Sequence, residues 1–455
     1  MARNAEERVE RLLDASVPLC LALALVILSL TGVGNVRVAS LAGLFLCGAG
    51  LTRDAARADW KLLLPLLVYD AAAMASAYGA YGNLVDGYGV LHALFPVLYL
   101  LTACLDARER RLLRDCCVLW AGAAAAAGIG RFVFQAVQGG AGRLSSPLGN
   151  PNAMGIFLVV SWFVLLHCGE EEAEQSRAAR LEWLEPLLLI ALALTLSMGS
   201  FAAMAAGIAV LLLEKKRGAS WRETFRYACR LLARASLGMG TGLLLYLAAA
   251  RTGVPWLCLP LLAYGAAEAV CWRTFRRFLE AYPRTAAWLA AMGVLVAAAA
   301  VAVRPSAAAT FAERLEMMAS GLRYLTADPL LGVGPFQWRL LDLNDGGKYF
   351  NTWHIHNVPL HIGVEMGWLA MAMAVLAGLR ALCRKKPPLL RAGTAAFLFH
   401  NLIDTSFFYL GITALAVTAA GGPESDGKPL GGGAVKLLFA VFACLFAYSL
   451  YYSLR

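Results

Sequence analysis

The sequence predicts an all-α polytopic membrane protein, and three observations support that class. Of its 455 residues, 60% are hydrophobic and only 15% are charged, whereas soluble proteins average about 45–50% apolar and about 25% charged residues. The apolar residues form blocks of about 17–22 residues, the length that a membrane-spanning helix needs. Most basic residues lie between the blocks. We therefore predict one integral membrane domain over residues 1–455, with roughly 12–15 transmembrane helices.

The apolar blocks define the predicted helices in chain order. The first block follows a charged N-terminus without a small-residue cleavage site, so we expect an uncleaved first helix. The region 184–213 and the last three blocks can be half-spans or broken helices. The blocks span residues 16–34, 37–52, 62–80, 87–104, 115–135, 153–168, 184–198, 201–213, 233–250, 255–271, 286–303, 357–380, 390–405, 407–421 and 434–452.

Basic residues are concentrated in alternate loops between these blocks. If the N-terminus is cytoplasmic and every block spans, the inside loops hold about 30 of the 40 Lys and Arg residues, as the positive-inside rule requires. Topology therefore explains the net charge of +10, and no basic patch interleaved with aromatics indicates a nucleic-acid partner. The eleven cysteines form no CxxC motif or disulfide framework, so we interpret most of them as packing residues.

One predicted external segment, residues 304–356, is long and unexpectedly basic. It begins with apolar residues at three- and four-residue steps, which predict an amphipathic helix at the membrane interface that ends before Pro329. Positive charge on the outside indicates an anionic ligand near the outer membrane surface, although Arg314 and Arg323 can instead snorkel to lipid headgroups. The apolar residues are Phe311, Leu315, Met318, Leu322 and Leu325. The basic residues are Arg304, Arg314, Arg323, Arg339 and Lys348.

Three of the six histidines, His354, His356 and His361, lie together at the start of the next apolar block. Asn357 is predicted to cap this helix. His361 and Glu365 are four residues apart, so they share a helix face. Three interpretations stay open: polar packing, a metal site, and a catalytic or anion-binding site near the positive end of the helix dipole.

Two further external elements carry polar residues. The stretch GRLSSPLGNPNAMG places Arg143 before a turn in which Asn150 or Asn152 can cap the next helix. The stretch HNLIDTSFF places His400 late in a predicted span and Asp404 at its outer end.

In this order the motifs resemble the O-antigen ligase and O-antigen polymerase superfamily of membrane glycosyltransferases. The resemblance covers roughly residues 140–420. Any single motif is weak, but the pair of late motifs in this order is fairly specific. The matching pieces are Gly149-Asn150-Pro151-Asn152, the Leu-Thr-Leu-Ser junction between two spans, Arg314, Pro329-Leu330-Leu331-Gly332-Val333-Gly334, and His356-Asn357 followed by Leu360, Glu365 and Gly367.

The resemblance implies a metal-independent transferase that needs no cofactor and takes a glycan from undecaprenyl diphosphate. It implies a bacterial cytoplasmic (inner) membrane location, an active site on the outer face, and a glycan, lipid or cell-wall acceptor. Arg314 and His356 would be catalytic, with Arg314 contacting the diphosphate. We expect donor diphosphate or acceptor binding by Arg143, Arg323, Arg339, His354, Asn357 and Glu365.

One position departs from the family pattern. Many members have an arginine after the junction serine, where this chain has Met198. One expected diphosphate contact is therefore missing, and Arg143, Arg323 and Arg339 are the candidates to replace it.

Alternative functions stay open from the sequence alone. A ligase and a polymerase of the same superfamily share these motifs. A flippase or transporter of a lipid-linked sugar would also need many spans and anion-binding arginines, but we find no internal inverted repeat. A scaffold protein does not account for an ionisable Glu365 inside a span.

Overall fold

The computed structural model describes residues 2–31, 34–140, 142–174, 180–251, 254–302, 306–349, 352–421 and 427–455. Over these residues the protein is almost entirely α-helical, which confirms the predicted all-α class. The helices are α1 (Ala2–Leu30), α2 (Val36–Leu51), α3 (Trp60–Tyr81), α4 (Leu94–Ala103), α5 (Ala107–Val137), α6 (Pro151–Glu174), α7 (Leu184–Leu194), α8 (Met198–Gly218), α9 (Trp221–Arg251), α10 (Cys258–Ala281), α11 (Pro283–Ala302), α12 (Ser306–Ala327), α13 (Trp338–Asn344), α14 (Val358–Cys383), α15 (Pro388–Ile403), α16 (Leu410–Thr418) and α17 (Gly432–Leu454).

Every apolar block of the sequence overlaps one of these helices. Seven helices in the described part of the chain are long and apolar enough to cross a membrane. Shorter apolar helices of 10–17 residues accompany them, among them α2, α7 and the N-terminal part of α11. The chain is therefore a multi-pass membrane protein. The helix α16 has only 9 residues, too short to span alone, as expected for one of the last blocks.

A short antiparallel sheet was not predicted. Strand β1 (Ala55–Ala58) pairs with β2 (Lys428–Gly431), with Ala55 opposite Gly431. Each strand has four residues and lies in a loop between apolar blocks, so neither shows a hydrophobic period of useful length.

The chain folds into two compact units. The first comprises Met1–Cys116, Ala312–Lys386 and Leu398–Arg455, and the second comprises Cys117–Phe311 and Pro387–Phe397. In the first unit α14 packs along α3, and α17 packs along α2. In the second unit α9 packs against both α7 and α11.

The second unit buries an acidic side chain. The buried carboxylate of Glu185 accepts hydrogen bonds from the indole N–H groups of Trp162 (3.1 Å) and Trp272 (2.8 Å), and it pairs with Arg234. These donors satisfy a charge that would otherwise be costly to bury.

The predicted interfacial helix is α12, and it ends at Ala327, as the proline at 329 requires. Met317 and Leu325 are buried in a core cluster with Trp338 and Ile355. Other apolar residues of α12 are exposed, including Phe311, Leu315 and Leu322. The predicted apolar face is thus divided between the protein core and the outer surface. Residues 303–305, with the predicted basic residue Arg304, lie outside the described residues.

Candidate functional site

The candidate site lies in the first unit, where α12 and the segment before α14 meet the end of α15. Arg314, on α12, donates from Nη1 to the carbonyl oxygen of Ile403 (2.6 Å) and from Nη2 to Oδ2 of Asp404 (3.1 Å). A carbonyl at a helix C-terminus lacks an intrahelical partner, so the guanidinium satisfies one of these groups. Arg314 is therefore held at the end of α15 by two contacts with fixed directions.

Asp404 also contacts His356, through its other oxygen. His356 Nδ1 lies 3.6 Å from Asp404 Oδ1, an ion-pair distance longer than a hydrogen bond. The Asp404 side chain is 6% exposed, whereas those of Arg314 and His356 are 20% and 23% exposed. One buried carboxylate thus lies between two side chains that remain accessible to a ligand.

The charges around Asp404 decide its protonation state. Burial raises the pKa of the Asp404 carboxyl, but the contact with His356, the nearby His400 and the charge of Arg314 outweigh burial and bring that pKa below its ordinary value. Asp404 is therefore an anion at neutral pH. It can orient the imidazole of His356 and stabilise its protonated form.

Asn357 fixes the segment that carries His356. Its side chain accepts a hydrogen bond from the Leu360 N–H (3.0 Å), so it is the N-cap of α14, as the sequence predicted. Its Nδ2 donates to the carbonyl oxygen of Leu402 (3.2 Å). The cap therefore joins the start of α14 to the end of α15, beside the contacts of Arg314.

The other two clustered histidines point into the protein. His354 stacks on Phe408 with ring centroids 4.3 Å apart, and its ring meets His361 edge-on at 4.9 Å. Burial, with the nearby histidines, brings the pKa of His354 well below its ordinary value. His354 is therefore a neutral buried group at physiological pH, and it belongs to the support of the site.

The helix α14 is broken at Gly367, and a distant segment fills the break. Gly367 has φ 84°, and the carbonyls of Val364 and Glu365 accept hydrogen bonds from the N–H groups of Val333 (3.0 Å) and Gly334 (2.9 Å). The Trp368 N–H donates to the carbonyl of Pro329 (2.9 Å). The two late motifs of the sequence are thus bonded to each other.

Glycine is required on both sides of this contact. A Cβ on Gly367 would lie 2.0 Å from the Leu330 carbonyl oxygen, and a Cβ on Gly332 would lie 2.5 Å from the Glu365 carbonyl carbon. Both glycines have positive φ, which other residues adopt at a cost.

The remaining predicted binding residues are distributed more widely. Arg323 is exposed and donates to Ser320 (3.1 Å), and the Arg339 guanidinium lies 4.7 Å from the centre of the Trp353 ring. Arg143 belongs to the second unit. It donates to the Thr195 carbonyl (2.8 Å) and to Asn152 Oδ1 (2.7 Å).

Arg143 therefore lies at the junction between α7 and α8, where Met198 follows the N-cap Ser197. Asn150, the other predicted cap, accepts from the N–H groups of Asn152 (2.8 Å) and Ala153 (3.2 Å) and caps α6. In the described part of the chain, no three His, Cys, Asp or Glu side chains are grouped closely enough to hold a metal ion.

Sequence reasoning assigned no role to the residue that joins the site. The sequence shows Asp404 only as an acidic residue at the end of a predicted span. Its partners His356 and Arg314 lie 48 and 90 positions away in the chain and are brought beside it only by the fold. An acidic residue directly after an apolar helix, on the predicted outer side, was the available signal. Neither a scan against models of known protein families nor a search of curated proteins returned a match to this chain.

Proposed function

We propose that the protein is a membrane glycosyltransferase of the O-antigen ligase type, acting at the outer face of the bacterial cytoplasmic membrane. The observation that carries this proposal is the Arg314–Asp404–His356 constellation, in which a carboxylate holds a guanidinium at 3.1 Å and an imidazole at 3.6 Å. A lipid diphosphate donor and a hydroxyl acceptor need these two functional groups side by side.

Arg314 suits the donor diphosphate. A guanidinium has five N–H donors, and the bonds to Ile403 and Asp404 use two of them. The others can bind phosphate oxygens, for which the planar guanidinium is well matched. Negative charge grows on the diphosphate as it departs, so a cation held in advance lowers the barrier.

His356 suits the acceptor hydroxyl. Its Nδ1 faces Asp404, and its side chain is 23% exposed, so a ligand can reach the ring. In the proposed step Nε2 takes the proton of the acceptor hydroxyl, and the acceptor oxygen forms a bond to the anomeric carbon of the donor sugar. The bond from that carbon to the diphosphate breaks, and undecaprenyl diphosphate leaves with the electron pair.

The same site serves a polymerase, whose acceptor is another lipid-linked glycan. Nothing in the arrangement of Arg314, Asp404 and His356 selects one hydroxyl acceptor over another, so the ligase assignment is the first candidate and the polymerase the second. A transporter is the candidate from another class, and the broken helix α14 is a feature that transporters share. Here, however, the carbonyls freed at the break are bonded to Val333 and Gly334.

The test is an in-cell glycan assay with His356→Ala and Arg314→Ala. Lys348→Ala is the matched control, because Lys348 is an exposed cation of the same external segment and pairs with Glu316. We expect both site variants to reach normal protein levels and to accumulate untransferred lipid-linked glycan, and the control to behave as the wild type.

The form of the accumulated glycan distinguishes the candidates. Intact chains retained on the lipid carrier indicate a ligase, and single repeats indicate a polymerase. Lipid-linked glycan trapped on the cytoplasmic side indicates a flippase. Normal transfer by both site variants would contradict the proposed function.

A further inference from the structure

We infer that Glu365 is a positioning residue that, through His361, holds the segment bearing His356 in register. The sequence suggested a ligand contact for Glu365, but its contacts point to a different role. The expected effect on transfer rates rests on the proposed function. The contacts of Glu365 and His361 are independent of it.

Both oxygens of the Glu365 carboxylate are engaged by the protein. Oε1 accepts a hydrogen bond from the Trp338 N–H (3.2 Å), and Oε2 lies 3.1 Å from His361 Nε2. The side chains of Glu365 and His361 are 3% and 1% exposed. A carboxylate that faces the protein on both sides and is this deeply buried is poorly placed to contact a donor or an acceptor substrate.

The hydrogen bond from Ile355 defines the tautomer of His361. The Ile355 N–H donates to His361 Nδ1 (3.3 Å), so Nδ1 carries no proton. Neutral imidazole then carries its proton on Nε2, which lies 3.1 Å from Glu365 Oε2 without hydrogen-bond geometry. The negative charge of Glu365 on this side of the ring favours the same tautomer.

Ile355 transmits this arrangement to the site. It is fully buried in the core cluster, lies directly between His354 and His356, and accepts a hydrogen bond from the Asn357 N–H (2.7 Å). Loss of the Ile355 bond to His361 would free the backbone on the N-terminal side of His356. The distance from His356 to Asp404 depends on that backbone.

Glutamine cannot replace Glu365 in this position. Its amide has one oxygen, whereas both Trp338 N–H and His361 Nε2–H need an acceptor. If the amide nitrogen faces His361, the imidazole must move its proton to Nδ1, and Nδ1–H then faces the Ile355 N–H. If the amide nitrogen faces Trp338 instead, its N–H group and the Trp338 N–H are two donors facing each other. Each orientation leaves one buried pair mismatched.

His361 allows the complementary substitution. Glutamine at 361 offers one oxygen and one N–H group, so it can accept from Ile355 and donate to Glu365. Leucine at 361 can do neither. His361→Gln is therefore the conservative variant and His361→Leu the disruptive one.

The experiment is ¹⁵N NMR of the purified full-length protein in detergent, with labelled histidine. The chain has only six histidines, and the signal absent from His361→Gln identifies His361. We expect an Nε2–H tautomer in the wild type. In Glu365→Gln we expect either its loss or a shifted Nε2 resonance, because a neutral amide replaces the carboxylate beside Nε2, and the melting temperature is measured in parallel. An unchanged His361 signal in Glu365→Gln would overturn the inference.

Kinetics supply the second readout, with the donor pool of the cells as substrate. Displacement of a catalytic group by about 1 Å can cost 100-fold, so we expect kcat to fall by about ten- to a hundredfold in Glu365→Gln and His361→Leu, at unchanged KM. His361→Gln should keep most of the wild-type kcat. A raised KM at unchanged kcat would show that Glu365 binds a substrate instead.

The two proposals fail in different ways. If the chain is not a transferase, His356→Ala and Arg314→Ala leave glycan transfer unchanged, while the tautomer measurement still stands. If only the positioning inference is wrong, those variants lose transfer and the His361 signal does not respond to Glu365→Gln.

Discussion

At the scale of single residues, the account depends on Asp404. Its carboxylate holds Arg314 through one oxygen and His356 through the other, and it is itself buried. An ion pair of this kind contributes less to stability than to geometry, because the cost of burying the carboxylate offsets much of the attraction. Its removal leaves Arg314 and His356 without their counter-charge, so transfer has to be measured together with protein level and melting temperature.

The first prediction concerns Asp404→Asn. Asparagine keeps the shape but loses the charge that orients and stabilises protonated His356, so transfer should fall by at least about tenfold, within the range that general base catalysis contributes. The measurement is the in-cell glycan assay with protein level as reference. Thr405→Ala, at the next position, should transfer normally. Full activity of Asp404→Asn would remove Asp404 from the mechanism.

The second prediction concerns pH. The pKa of Asp404 is depressed in the folded protein, so its contribution to stability is present above the ordinary value of about 3.9 and is lost only as pH falls toward the lower folded value. Asp404 therefore stays ionised between pH 5 and pH 8. Infrared difference spectra between the wild type and Asp404→Asn should show no band of a protonated carboxyl group over that window. Such a band growing in toward pH 5 would show that Asp404 titrates there.

At the scale of elements, the break in α14 organises the site. The freed carbonyls of Val364 and Glu365 bond to the segment between α12 and α13, and the Ser76 hydroxyl on α3 donates to the Glu365 carbonyl (2.7 Å). Unpaired backbone groups inside a membrane protein are costly, so these donors stabilise the broken helix. Three distant parts of the chain therefore meet at one turn of α14.

The third prediction tests this contact with Gly367→Ala. A methyl group there would meet the Leu330 carbonyl oxygen at 2.0 Å, in a left-handed conformation, so the variant should lose at least about 2 kcal/mol of stability. Gly48→Ala in α2 is the matched control, because nothing lies within 4 Å of its Cβ position. Thermal unfolding in detergent compares the two. Equal melting temperatures would contradict the described contact.

Some elements were predictable from local sequence, and others were not. The apolar blocks predicted the long helices, Asn357 predicted the start of α14, and the spacing of His361 and Glu365 predicted that they share a helix face. Each of these features depends on residues that are close together in the sequence, so the local pattern reveals it. The helix α13, with only seven residues, and the sheet of β1 and β2 have too few residues for a periodic signal.

In the candidate site, too, some features were predictable from local sequence and others were not. His356 and Arg314 were identified from a resemblance of motifs, but their joint contact with Asp404 was not. It depends on how α12, α14 and α15 approach one another, and residues 314, 356 and 404 are far apart in the chain. The bond between the Gly332–Gly334 turn and the break at Gly367 was equally hidden, because each glycine alone predicts only a bend.

At the scale of the whole molecule, the account requires a defined orientation in the membrane. Basic loops are predicted inside, with the external segment and its histidines outside. The fourth prediction uses a variant in which all cysteines are replaced. No disulfide is lost among the described cysteines, because all of them are free. A membrane-impermeant thiol reagent should label intact cells at Lys348→Cys and not at Lys385→Cys, two exposed positions. The reverse labelling would place the site on the cytoplasmic side.

The central claim is that Arg314, Asp404 and His356 transfer a glycan from a lipid diphosphate. The most direct measurement supplies purified wild-type protein, in proteoliposomes, with the lipid-linked glycan that accumulates in His356→Ala cells and with membrane lipids of the same cells as acceptor. We predict that the wild type releases undecaprenyl diphosphate and that the His356→Ala protein does not. Glycan that stays on its lipid carrier with the wild type, or equal release by both proteins, would contradict the claim.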